Sequence, residues 1–194
     1  MSQVSTNDKI YSVVARRGGN EAYGWATTES YNRLWWLVNE YDCHSVIEVG
    51  SFVGMTAVWL SDMTQVELVY CVDTFDKPNH HREPIGRYLR HPNGKYWKDS
   101  QYKEFLRNTL PYVNIHHIKL PSLEAAELDI SADLVYIDAD HSYEAVKADI
   151  EAWRPHARKV ICGDDNNRPK YGVGDAVREL GIRNHDERVW WDEA

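Results

Sequence analysis

A chain of 194 residues, 43% hydrophobic and 27% charged, has the length and composition of one soluble domain with a full core of its own. That composition excludes a collagen-like repeat, a disordered tail and a membrane bundle, since no apolar run approaches the ~20 residues that span a bilayer. The net charge of −8 argues against general nucleic-acid binding.

Residues 1–26 are polar, carry Gly18 and Gly19, show no secretory signal and read as a loosely held N-terminal arm. From Glu29 to Tyr41 the apolar residues follow helical spacing, with Thr27 and Thr28 where an N-cap would stand. Ser45–Val49 reads as a short buried strand, followed by a glycine-containing turn and a helix to about Ser61. Leu68–Val72 is a second strand, closed by Asp73. From Lys77 to Arg107 eight Lys or Arg face three Asp or Glu, among several Tyr, His and Trp. This stretch reads either as an inserted surface segment facing an anionic or sugar-like partner, or as a solvated helix face.

Tyr102–Leu110 reads as a helix ending before Pro111, Val113–Lys119 as a third strand and Ser122–Leu128 as a short helix. Leu134–Ile137 is a fourth strand, His141–Trp153 a helix and Lys159–Cys162 a fifth strand. A helix over Gly174–Leu180 and a strand near Arg188–Trp191 end the chain. Strands of about five apolar residues alternating with helices predict an α/β three-layer sandwich, a mostly parallel sheet with helices on both faces. Only one strand is plain after Leu180, which leaves open six strands, seven, or an edge completed by a second copy of the chain. Cys43, Cys71 and Cys162 form no C-x-x-C pair and read as buried reduced thiols of a cytoplasmic protein.

Every chemically suggestive residue falls at the carboxyl end of a predicted strand, where open parallel sheets bind their ligands. In Ile47-Glu48-Val49-Gly50-Ser51-Phe52-Val53-Gly54-Met55-Thr56, two glycines allow a sharp turn and close approach of a ligand. The spacing G-x-x-x-G departs from the G-x-G-x-x-G of dinucleotide sites, so NAD is disfavoured. Asp73 lies 23 residues after Gly50 and can accept both hydroxyls of a nucleoside ribose. Ser122 and Leu123 follow the third strand, where Ser122 reads equally as a helix cap or as a contact to adenine.

Val135-Tyr136-Ile137-Asp138-Ala139-Asp140-His141-Ser142 is paired with Gly163-Asp164-Asp165-Asn166. Five acids or amides thus leave two strand ends, and clustered carboxylates repel unless a cation sits among them. Hard oxygen donors in this number suit Mg²⁺, Mn²⁺ or Ca²⁺. Asp140 reads as a helix cap, whereas Asp138 and Asp165 lack an obvious basic partner in the sequence.

The pattern E-x-G-x-x-x-G-x-T resembles the first motif of class I S-adenosylmethionine-dependent methyltransferases, which have a Rossmann-like fold. The segments Asp133–Trp153 and Val160–Asn166 resemble the metal-dependent O-methyltransferases, a group with catechol-type and macrolide-sugar branches. The resemblance spans roughly Glu29 to Leu180, within a single methyltransferase domain. It implies S-adenosyl-L-methionine bound by Glu48, Gly50, Ser51, Gly54, Thr56, Asp73, Ser122, Leu123 and Asp138. It further implies a divalent metal, Mg²⁺ by preference, on Asp138 and Asp165, completed by Asp164 or by Asn166 according to register. His141, three residues after Asp138, stands at the position of the general base, as in the sugar-type branch.

The implied reaction is O-methylation of a small hydroxylated acceptor, sugar-like or a vicinal diol, with no membrane and no nucleic-acid partner. The basic stretch 77–107 and the arm with Tyr23 and Trp25 are the expected substrate-facing parts. Two other readings remain open from sequence: a metal-free transferase on the same fold, and a non-catalytic regulator that binds S-adenosylmethionine.

Overall fold

The computed structural model describes residues 27–76, 101–168 and 170–194 in full, and 11–15 and 21–25 as backbone. The basic stretch 77–100 therefore lies outside the described residues, as do the side chains of Tyr23 and Trp25. Within the N-terminal arm, β1 (Tyr11–Ala15) and β2 (Glu21–Trp25) pair as an antiparallel hairpin, with Val13 opposite Tyr23. The arm thus contains regular structure that its polar composition did not suggest.

The main body is one sheet of seven strands. It is built from β3 (Ser45–Val49), β4 (Leu68–Asp73), β5 (Ile115–Lys119), β6 (Ala132–Ile137), β7 (Ala157–Gly163), β8 (Asn184–His185) and β9 (Trp190–Glu193). Their spatial order is β5-β4-β3-β6-β7-β9-β8. The first five are parallel, and β9 returns antiparallel to β7 with β8 antiparallel at the edge. The chain therefore supplies its own seventh strand: β8 has only two residues, too short for an apolar period to show.

Alternation along the strands sorts the core into two layers. Val46, Val69, Cys71, Leu134, Tyr136, Val160 and Cys162 point to one face, where α1 (Thr28–Glu40), α2 (Met55–Ser61) and α3 (Gln101–Thr109) cover them with Leu34, Leu37, Leu60 and Phe105. Ile47, Val49, Val72, Val135, Ile137 and Ile161 point to the other, against α4 (Ser122–Ala125), α5 (Tyr143–Trp153) and α6 (Val173–Glu179). Residues 101–107, counted from sequence with the basic surface stretch, belong to α3, in which Gln101, Glu104 and Phe105 are buried. Thr27 caps α1 as expected, its side chain accepting from the backbone N–H of Ser30. All three cysteines are free and buried.

Strand order reverses between β3 and β6, because the chain builds outward through β4 and β5 before crossing back. Gly50 leaves β3 at this point with φ +96°, and a Cβ there would lie 2.3 Å from the backbone oxygen of Asp138. Only glycine permits both that dihedral and that approach. Gly54 starts α2 at φ +79°, with Phe105 and Thr109 of α3 packed where its Cβ would be. These two positions set the width of the crevice between the strand ends.

Behind the sheet, Ser122 ties α4 to α5. Its hydroxyl donates to Asp149 Oδ1 at 2.6 Å and accepts from Trp153 Nε1 at 2.8 Å. Burial pushes the Asp149 carboxyl up to about 6 despite this hydrogen bond. An acid held above its unfolded value of ~3.9 favours the folded state at low pH and weighs against it as pH rises through the folded value. Asp149→Asn is therefore expected to raise Tm at pH 8 by about 2–4 °C, an effect of order 1 kcal/mol. The gain disappears at pH 4, and thermal melts at the two pH values measure it. Gly50→Ala is expected to cost about 3 kcal/mol or more, from strain and a backbone clash together, read as a lowered urea midpoint.

Candidate functional site

Glu48, Asp73, Asp138 and Asp164 share one parity along their strands and project to the face carrying α1–α3. Glu48, 2% exposed, lies beneath the glycine turn. Its Oε2 has no hydrogen-bond partner among the described residues, and burial pushes its carboxyl up to about 8. Ser51 and Thr56 are buried beside it, with the Ser51 hydroxyl 3.4 Å from the Glu48 carbonyl.

Asp73 ends β4 and organises the turn opposite. Its Oδ2 accepts from the N–H of Phe52 at 2.8 Å, and its Oδ1 from the N–H of Phe75 at 2.7 Å and Gln101 Nε2 at 3.2 Å. Phe52 and Phe75 both have positive φ, 49° and 51°, so this carboxylate holds two strained residues in place. A carboxylate has about four acceptor positions, which leaves one on Oδ2. Gln101 also donates to the Phe52 carbonyl at 3.2 Å, while its own Oε1 is buried without a partner among the described residues. The sequence reading missed Gln101, which reaches the site only because α3 packs on the glycine turn.

The second half of the site surrounds His141. Its Nε2 lies 3.3 Å from Asp138 Oδ1 and 3.2 Å from Asp165 Oδ2, and its ring packs on Tyr171 with centroids 4.8 Å apart. Burial disfavours the charged ring, but the two facing carboxylates outweigh it and raise His141 to about 10. Asp140 Oδ1 accepts from the N–H of Ser142, fixing the turn before α5, whose N-cap residue is Ser142.

Asp164 and Asp165 have basic partners that the sequence did not reveal. Arg188, in the turn before β9, places Nη2 3.1 Å from Asp164 Oδ2 and 2.8 Å from Asp165 Oδ1, with Nε 3.2 Å from Asp164 Oδ1. Arg168 Nε lies 3.3 Å from Asp165 Oδ1. The Ser30 hydroxyl donates to Asp164 Oδ2 at 2.8 Å. Burial raises Asp164 above the ordinary carboxylate range. Burial acts on Asp165 in the same sense, but His141, Arg188 and Arg168 outweigh it and hold Asp165 below that range.

These partners decide how the expected ligand sets fit. The buried acids and the unpartnered Glu48 Oε2 suit a cofactor carrying an ammonium and a sulfonium. Ser122 neither caps α4, whose N-cap residue is Pro121, nor leaves its hydroxyl free, whereas Leu123 is 51% exposed. The arrangement does not fit the divalent metal expected on Asp138, Asp164, Asp165 and Asn166. Both oxygens of Asp164 accept from Arg188 or Ser30, Asp165 Oδ1 accepts from Arg188, and Asp165 Oδ2 lies 3.2 Å from His141 Nε2. Asn166 instead hydrogen-bonds through its backbone N–H to the Arg188 carbonyl, its side chain beside Gly174. Among the described residues, no group of three His, Cys, Asp or Glu side chains is placed to hold a metal ion.

Similarity to known proteins shows the fold and the family. Solved structures sharing the fold include a caffeoyl-CoA O-methyltransferase candidate from Staphylococcus aureus, 13% identical, with 87% of this chain and 84% of that chain covered and a TM-score of 0.59. An O-methyltransferase from Bacillus cereus in complex with SAH is 15% identical, with 87% and 82% covered and a TM-score of 0.52. TomG, an O-methyltransferase from Streptomyces achromogenes involved in tomaymycin synthesis and solved with SAM, is 12% identical, with 86% and 79% covered and a TM-score of 0.53. A search of curated protein sequences finds no match. Residues 47–165, more than half of the chain and the whole span from the glycine turn to Asp165, match the family described as a methyltransferase domain, and the chain belongs to that family.

Proposed function

We propose that this chain transfers the methyl group of S-adenosylmethionine to a hydroxyl of a small-molecule acceptor, in the cytoplasm. The observation that carries the reading is His141, held between Asp138 and Asp165 at the strand ends beside the Gly50–Gly54 turn. Glu48 would accept from the cofactor's ammonium, with the backbone of Gly50, Ser51 and Gly54 and the side chain of Thr56 closing around the methionine portion. Asp73 would accept from a ribose hydroxyl, with Gln101 giving way to admit the second. Leu123 would offer the adenine an apolar face, Ser122 would contribute through its backbone, and Asp138 would lie on the side of His141 that faces the cofactor. Bound, the cofactor supplies an electrophilic methyl group and a positive sulfonium whose charge opposes the imidazolium.

His141 is the general base in this reading. Its ring must first be neutral; it then takes the proton of the acceptor hydroxyl, and Asp138 and Asp165 stabilise the imidazolium that results. The acceptor oxygen forms a bond to the methyl carbon as the carbon–sulfur bond breaks, and the electron pair leaves with sulfur as a neutral thioether. Alignment of the reacting atoms and exclusion of water are the protein's main contributions. The preference for a vicinal diol rested on chelation to a metal, so a single hydroxyl suffices here.

Calorimetric titration with S-adenosylmethionine tests the cofactor half. Micromolar binding is expected, weakened by about tenfold or more in Asp73→Ala, where a charged hydrogen-bond acceptor is lost. Absence of saturable binding would sink the proposal. Once an acceptor is found by screening hydroxylated small molecules, His141→Gln is expected to lower kcat by about 10²–10⁴ while cofactor affinity stays within about twofold.

A further inference from the structure

We propose that Arg188 takes the place of a divalent cation in this site, so that the chain binds no metal among its strand-end carboxylates and transfers methyl without one. The consequence for catalysis rests on the methyltransferase reading; the charge argument does not.

Asp138, Asp164 and Asp165 bring three negative charges together, and in a poorly hydrated site they require compensation. Arg188 and Arg168 provide two permanent positive charges, since a guanidinium does not deprotonate in a protein. His141 faces both Asp138 and Asp165 and can supply the third. A dication entering this cluster would meet charges already neutralised, and would sit within a few ångströms of two guanidiniums. It would also have to strip donors from oxygens that already accept them. The planar fork of Arg188 spans Asp164 and Asp165 as a metal would, but with directed N–H donors.

Arg188 is built in rather than resting there by chance. Its backbone N–H and that of Val189 donate to Asp186 Oδ1, each at 2.8 Å. Asp186 Oδ2 accepts from Arg33 Nε at 2.7 Å, and the Arg33 guanidinium lies over the rings of Trp36 and Trp191, 4.9 and 4.6 Å from their centroids. Val189 and Trp190, the next two residues, are buried in the two opposite core layers. Ser30 of α1 contacts both Arg188 Nε, at 3.2 Å, and Asp164. Moving the guanidinium aside for a metal would therefore disturb α1, the β8–β9 turn and the core together.

The test uses the full chain after exhaustive chelation. Mn²⁺ is titrated and followed by electron paramagnetic resonance of the free ion, while SAH is titrated by calorimetry with and without EDTA. The wild-type protein is expected to take up no Mn²⁺ at concentrations to about 1 mM, with SAH affinity unchanged within about twofold by EDTA. Arg188→Gln is expected to bind one Mn²⁺ at least about tenfold more tightly than wild type, because two carboxylates lose their shared cation. One Mn²⁺ bound by the wild type with a Kd below about 100 μM, and lost in Asp165→Asn, would overturn the proposal. A folded Arg188→Gln protein that still takes up no Mn²⁺ would overturn the role given to Arg188. If Arg188→Gln fails to fold, the wild-type titration alone decides. Failure to bind SAH with no uptake of Mn²⁺ would remove the methyltransferase reading and leave the exclusion of metal standing.

Discussion

Repulsion among carboxylates gathered at the ends of β6 and β7 is the constraint around which the rest of this molecule is arranged. Asp138 and Asp164 project to the same side of the sheet because they share strand parity, and Asp165, at φ +60°, turns back towards His141. Left alone, such a group would raise the carboxyl pKa values until some were protonated. The chain instead brings Arg188, Arg168 and His141 to them from three different segments. That compensation places cations against the acids at the strand ends.

Holding a guanidinium in position requires structure elsewhere. The antiparallel β8–β9 edge carries Arg188, and Asp186 fixes its backbone while Arg33 fixes Asp186. α1 contributes at both ends of this chain of contacts, through Ser30 on Asp164 and through Arg33. The C-terminal strands thus complete the site as well as the edge of the sheet. On the far side of the crevice a single carboxylate, Asp73, has a comparable task, since it holds the two positive-φ residues Phe52 and Phe75. One wall is set by a carboxylate taking neutral backbone donors and the other by carboxylates taking cations.

The two walls differ in how visible they are in the sequence. The glycine turn, Asp73 at its distance from Gly50, and the spacing of His141 from Asp138 are local patterns, and the structure brings each to the strand ends. The metal was inferred from an excess of acids without a nearby base, and the sequence could not show the cations that stand beside those acids because charge compensation is a property of space. Arg188 lies 24 residues from Asp164, beyond a helix and a two-residue strand. Gln101 was missed for a related reason: an amide carries no motif, and its role follows from α3 packing against Gly54. The cap reading of Ser122 did not hold because its hydroxyl finds partners far along the chain, Asp149 and Trp153 of α5.

By itself the sequence determined what depends on short-range periodicity and backbone stereochemistry. That comprises the alternating strands and helices, the turn only glycine can make at Gly50, the cap at Thr27 and the placing of acids at strand ends. Tertiary structure decided which charges meet, because a carboxylate's partner is whatever cation the fold brings within about 3 Å, at any separation along the chain. It also decided the seventh strand, whose two residues pair only because β9 already lies against β7.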